Sequence, residues 1–202
     1  MTAFSKRLRE RVVTARIEDW PRIMPSRHRA TPVGAGFGSS RFSSPTAAFK
    51  VLYAAEDFST AFAEGVVRDR FEGKARRFLY RPYLETLCIT AVSSSRELAL
   101  VDLTGAAAYE LGIDTDTNRA RGHHAGQAFS EDLYREHPEV DGILFDSRLT
   151  TGRCAAIYDR ALAALSAPAP LALVQAALLP DELERLGIIV RRERGIGPNP
   201  AK

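Results

Sequence analysis

Apolar positions along the chain follow two periods, and their alternation lays out most of the elements. Phe4, Leu8, Val12 and Ala15 recur at helical spacing among many charges, which predicts an amphipathic helix over residues 2–18. From Met24 to Thr46 the chain is rich in Gly, Ser and Pro and no period survives, so the stretch reads as a long loop. Loops of that length inside a compact domain tend to be functional or mobile. FKVLYAA, residues 49–55, is a β-branched and aromatic run suited to a short strand, and it leads into a helix from Ser59 to Phe71 that Asp57 or Ser59 can cap.

Three apolar runs follow, FLYRPY, LCITAV and LALVDL, separated by polar turns and read as successive strands. GAAAYELG predicts a short helix closed by Gly112, and residues 120–136 a longer one that Pro138 stops. GILFDSR and AAIYDRA read as two strands around the turn LTTGR. Further on, LALVQAALL fits a buried strand or a helix equally, DELERLG is a short helix, IIVRRE a last strand, and GIGPNPAK a disordered tail. No internal repeat is visible.

Composition narrows the class. A chain of 202 residues with 45% hydrophobic and 26% charged positions can bury the core of one domain. No apolar run reaches the length of a membrane span and the first residues lack the apolar core of a secretory signal, so a cytoplasmic protein is expected. Cys88 and Cys154 stand alone, which points to buried thiols rather than a disulfide or zinc site. The net charge of +3 hides a strong skew, 24 Arg against 4 Lys. Arginine's fork suits phosphate and carboxylate, but without a dense basic stripe a dedicated nucleic-acid binder is not indicated.

Taken one at a time, the candidate residues have plain readings. GAGFGSS lacks the strand before and the helix after that a dinucleotide or Walker loop requires, and reads as a flexible loop. His123 and His124 are adjacent and cannot grip a metal together as an i, i+4 pair could; a capping or surface role suits them better. Glu64 falls on the flank of its helix, where an i, i+4 ion pair with Arg68 is the ordinary expectation. Tyr53 fits a half-buried core aromatic, and Arg22, Arg41 and Arg148 fit surface cations. Ser147 ends an apolar strand, where it can frame a site or cap a turn. Glu56 is a second acidic candidate that more simply sits solvated in a turn.

The order of these residues resembles that of the RES family, toxins of bacterial toxin–antitoxin pairs named for Arg, Glu and Ser. PRIMPSRHRATPVGAGFGSSRF is similar to its arginine segments and places Arg22 and Arg41, although Pro21 stands where an aromatic is common. VLYAAEDFSTAFAE resembles the strand-to-helix stretch and places Tyr53 and Glu64; GILFDSR followed by GRCAAIYDRA resembles the closing segment and places Ser147. The likeness runs from Pro21 to Ala161, which suggests a helical extension over 1–20, a catalytic domain over 21–194 and a flexible tail over 195–202.

The resemblance implies a single α+β domain, with mixed and antiparallel sheets flanked by helices, as in ADP-ribosyltransferases. It also implies NAD as substrate, no metal, and a cognate antitoxin as partner. Cleavage of the nicotinamide–ribose bond by water or phosphate is the first expectation; transfer of ADP-ribose to a protein acceptor is the second. A non-catalytic anion or nucleic-acid binding module is a third. Glu64, Arg41, Tyr53 and Ser147 would form the catalytic set, with Arg22, Arg41, Tyr53 and Ser147 contacting NAD. Direct nucleic-acid or membrane partners are not expected.

Overall fold

The computed structural model describes residues 3–71, 74–113 and 123–192. Helix α1 (Ala3–Glu10) is followed by strands β1 (Val12–Ala15), β2 (Trp20–Pro25) and β3 (Val51–Ala55). Helix α2 (Phe58–Phe62) runs into a π turn (Ala63–Val67) and a 3-10 turn (Arg68–Phe71). Next come β4 (Arg77–Tyr80), α3 (Arg81–Glu85), β5 (Leu87–Ser94), β6 (Leu98–Asp102), α4 (Ala107–Glu110) and α5 (His124–Glu136). The chain continues through β7 (Gly142–Asp146), β8 (Arg153–Tyr158), β9 (Leu165–Ser166), β10 (Leu171–Ala172), α6 (Leu179–Arg185) and β11 (Ile188–Arg191).

The strands form a five-stranded mixed sheet in the order β1-β6-β7-β8-β3, a four-stranded sheet β10-β5-β2 with β9 also on β5, and a parallel β4–β11 pair. Strand alternation divides the core. Val51, Ala55, Ile143, Phe145, Ala156 and Tyr158 face one side of the large sheet, with Leu8 of α1 and Leu133 of α5 over them. Leu52, Ala54, Leu144, Ala155 and Ile157 face the other side, against Trp20 and Val92 of the smaller sheet. The two sheets are thus held by a shared apolar layer, the period-2 signature of buried strands. A third cluster gathers Phe58, Phe62, Leu84, Leu87, Ile89 and Leu179. The expected α+β architecture with mixed and antiparallel sheets is the one observed.

Several local expectations change. The helix anticipated over 2–18 ends at Glu10, and Val12–Ala15 instead pairs antiparallel with β6 from Val12–Val101 to Ala15–Leu98. Helical spacing of Val12 and Ala15 was outweighed by non-local pairing. Residues 20–25, read without a strand, pair with β5 despite Pro21 and Pro25, both tolerable because β2 is an edge strand. LALVQAALL is neither one strand nor one helix: it divides into β10, a 3-10 turn over Leu173–Gln175 and the start of α6. The predicted helix over 120–136 is described from His124, and the tail GIGPNPAK lies outside the described residues.

Candidate active site

Two edge strands, β2 of the smaller sheet and β3 of the larger, lie side by side. Between them and the turn after α2 opens a cleft of about 180 Å³. Pro21 and Ile23 wall it from β2; Tyr53, Ala54 and Ala55 wall it from β3. Because alternate strand residues face opposite ways, the positions that give Pro21 and Ile23 to the cleft take Arg22 out of it. The Arg22 guanidinium instead donates to the carbonyls of Pro32 (3.0 Å) and Gly34 (2.7 Å). Burial lowers its pKa to about 10, leaving it a cation at neutral pH that ties down the glycine-rich segment. Arg22, proposed from the resemblance as an NAD contact, is therefore placed as a strut of the loop, outside the cleft lining.

Glu64 lies in the π turn. Asp57 caps α2, its Oδ1 accepting from the Thr60 N–H at 2.7 Å, and the helix then loosens at Ala63, where the Arg68 N–H reaches back five residues to the Ala63 carbonyl. This wider turn breaks the i, i+4 register on which a Glu64–Arg68 pair depends. The expected ion pair is not formed; Glu64 Oε1 accepts instead from Ser147 Oγ at 2.7 Å. Arg68 adopts φ +35°, ψ −128°, unfavourable backbone for a side chain with a Cβ, and borders the cleft together with Glu64.

Ser147 serves as a turn cap as well as a donor to Glu64. Its Oγ accepts from the N–H groups of Leu149 (3.1 Å) and Thr150 (3.3 Å), closing the turn between β7 and β8. That turn is fastened to α2 through Thr60 Oγ1, which is 2.9 Å from Thr150 Oγ1 and 3.0 Å from Asp57 Oδ2. Gly152 permits the approach: a Cβ there would lie 2.0 Å from Thr60 Oγ1 and 2.7 Å from Asp57 Oδ2.

Arg41 is positioned by helix α5 and by Tyr53. His123, Gln127 and Ser130, spaced to share one helix face, take the carbonyls of Ser39, Ser40 (3.2 Å) and Phe42 (2.9 Å). The Tyr53 hydroxyl accepts the Phe42 N–H at 3.0 Å. Burial pushes this phenol up to about 12, an effect moderated by its hydrogen bonds and by Arg68 and Arg41. The glycine-rich loop expected to be flexible is therefore held by Arg22, by reciprocal Gly36–Val51 backbone bonds and by α5.

Electrostatically the cleft carries more cations than carboxylates. Arg41, Arg68 and Arg148 all border it, with Glu64 and Asp146 as its acids. Burial first, then repulsion from Arg148 and Arg68, lowers the Arg41 pKa, while Glu64 acts in the opposite direction. Cys154 lies in the same lining, its thiol pushed up by burial and by Glu64. Glu56 is outside, forming a bidentate pair with Arg153. The fold thus brings Arg41, Tyr53, Glu64 and Ser147 together and sends Arg22 elsewhere. Sequence reasoning read Arg148 as a surface cation and Arg68 as the ion-pair partner of Glu64, and it passed over Asp146, whose one signal was its place beside Ser147. Such a site can hold an anion on its guanidinium groups while presenting a fixed carboxylate to a centre that becomes positive.

The RES domain family model matches residues 11–180, well beyond the 21–161 over which the motifs are recognisable. A protein named "Probable toxin y4kH" from Sinorhizobium fredii is 34% identical over 83 residues, covering 41% of this chain and 65% of that relative's length. In three dimensions the chain resembles one in the crystal structure of the M. tuberculosis MbcT–MbcA toxin–antitoxin complex, with a TM-score of 0.60 at 18% identity. That likeness covers 83% of this chain and 90% of the other, and it concerns the fold.

Proposed function

The chain belongs to the RES-domain family, and from that premise we propose that it is a toxin that consumes NAD by cleaving the nicotinamide–ribose bond and is neutralised by a cognate antitoxin. The observation that carries this reading is that Glu64, which lines a cleft bordered by three arginines, is held by a hydrogen bond from the buried Ser147. Cleavage of this bond develops oxocarbenium character on the ribose. A carboxylate fixed before the reaction stabilises that charge without having to reorganise.

In this reading Glu64 faces the ribose and Ser147 holds it there. Arg41, Arg68 and Arg148 take the pyrophosphate through charge-assisted hydrogen bonds. Tyr53 lines the cleft, while its hydroxyl keeps the Arg41–Phe42 segment in place. The y4kH and MbcT–MbcA likenesses lend support to the toxin role and to an antitoxin partner.

The test is to incubate the purified protein with NAD, with and without phosphate and cell extract, and to identify the products by mass spectrometry. Free nicotinamide together with ADP-ribose or its phosphate ester is the expected result. ADP-ribose attached to a protein would assign the same cleft to transfer, and intact NAD under every condition would reject the proposal.

A further inference from the structure

The cleft does not end at the π turn. A second, more open hollow adjoins it, and Ile23 and Gly65 line both. Gly65 stands at the passage: a Cβ added there would meet Ile23 Cβ at 3.4 Å, so its hydrogen leaves room that any side chain would occupy. Beyond it, the floor is apolar, from Met24 and Leu87, and Tyr83 forms a wall. The Arg70 guanidinium lies over the Tyr83 ring, 4.3 Å from its centroid, and Arg27 stands at the exposed rim.

These features suit one end of an extended anionic ligand. A cleft of about 180 Å³ accommodates only part of a dinucleotide. An apolar floor with a stacked Tyr–Arg wall suits a flat, electron-rich heterocycle. Gly65 lines both hollows and Arg68 lines the first, so a ligand passing over Gly65 would lie beside Arg68. We infer that this hollow is the adenylate subsite: the adenine packs at Tyr83, the pyrophosphate crosses at Gly65 beside Arg68, and the nicotinamide ribose lies at Glu64. The inference deepens the NAD reading and rests on it for the identity of the other half of the ligand.

Binding separates the two. Titration calorimetry of the native protein with adenosine monophosphate and with nicotinamide mononucleotide, repeated on Tyr83→Ala and Arg27→Glu, reads each half independently. Both variants are expected to weaken adenosine monophosphate binding about tenfold or more, as loss of a stacking partner or reversal of a rim charge predicts, and to leave the mononucleotide within about twofold. Arg27 is exposed, so its variant decides the matter if Tyr83→Ala does not fold. Absence of adenosine monophosphate binding to the native protein, or native affinity in a folded variant, overturns the subsite. Adenosine monophosphate binding that depends on Tyr83 or Arg27, in a protein that leaves NAD intact, supports the subsite and rejects the NAD-cleaving function.

Discussion

Ser147 Oγ donates to Glu64 Oε1 at 2.7 Å, joining the end of β7 to the π turn across 83 residues of sequence. The same hydroxyl oxygen accepts from Leu149 and Thr150, so the group that orients the carboxylate is itself fixed by its own turn. This relationship makes the candidate site a built object rather than a set of nearby polar residues.

Ser147→Ala removes both functions. One lost donor to a charged group and one lost cap predict a stability decrease of about 1–3 kcal/mol and a rate of NAD loss lower by about tenfold to a hundredfold. Denaturant unfolding and turnover of the same preparation check this. A variant with native turnover would remove Ser147 from the site.

Gly152→Ala tests the clamp behind it. The new Cβ would fall 2.0 Å from Thr60 Oγ1, so α2 and the β7–β8 turn must separate, with an expected cost of about 1–3 kcal/mol. A melting temperature equal to that of the native protein would contradict the close approach.

Arg68 holds a left-handed backbone at φ +35° while bordering the cleft. Arg68→Gly is expected to stabilise the fold by about 1 kcal/mol through relief of strain, and at the same time to raise KM for NAD. Stability and binding moving in opposite directions would be the signature; both falling together would mean that the strain has no part in positioning.

Tyr53 sets an alkaline limb. Its phenol has an ordinary pKa of 10.0 and a folded value of about 12, so the native state keeps a proton that the unfolded chain releases. The stability it contributes is intact below pH 10 and is lost as pH rises from 10 to about 12. Cys154 and Tyr158, both also raised by burial, add to the same limb. Tyr53→Phe should flatten the fall of the urea midpoint over that interval, and an unchanged slope would contradict the assignment.

Much of the frame was legible from local pattern. Strands β3, β7 and β8 are short β-branched or apolar runs between turn residues, and Asp57 before Phe58 announced its helix cap. The misreadings share one cause, which is that contacts distant in sequence decided the outcome. β1 is a strand because Leu98–Val101 offers it an edge, although its own spacing is helical. β2 carries two prolines that argue against a strand until its edge position is known.

The site divides the same way. Arg41, Tyr53, Glu64 and Ser147 could be selected by order along the chain, but Arg22 could not be assigned without knowing that it alternates with Pro21 and Ile23 on β2. The π turn that parts Glu64 from Arg68 has no local sequence mark, so the ordinary i, i+4 pair was the natural expectation. Arg148 and Asp146 flank Ser147, yet only the turn's docking onto α2 brings this region to the cleft.

In the proposed reaction Glu64 is the carboxylate that stabilises the ribose as its bond to nicotinamide breaks. The most direct measurement is the initial rate of NAD loss by native protein and by Glu64→Gln, with circular dichroism to confirm that both are folded. A folded variant slower by about a hundredfold to a thousandfold is the predicted result; a folded Glu64→Gln that consumes NAD at the native rate would contradict it.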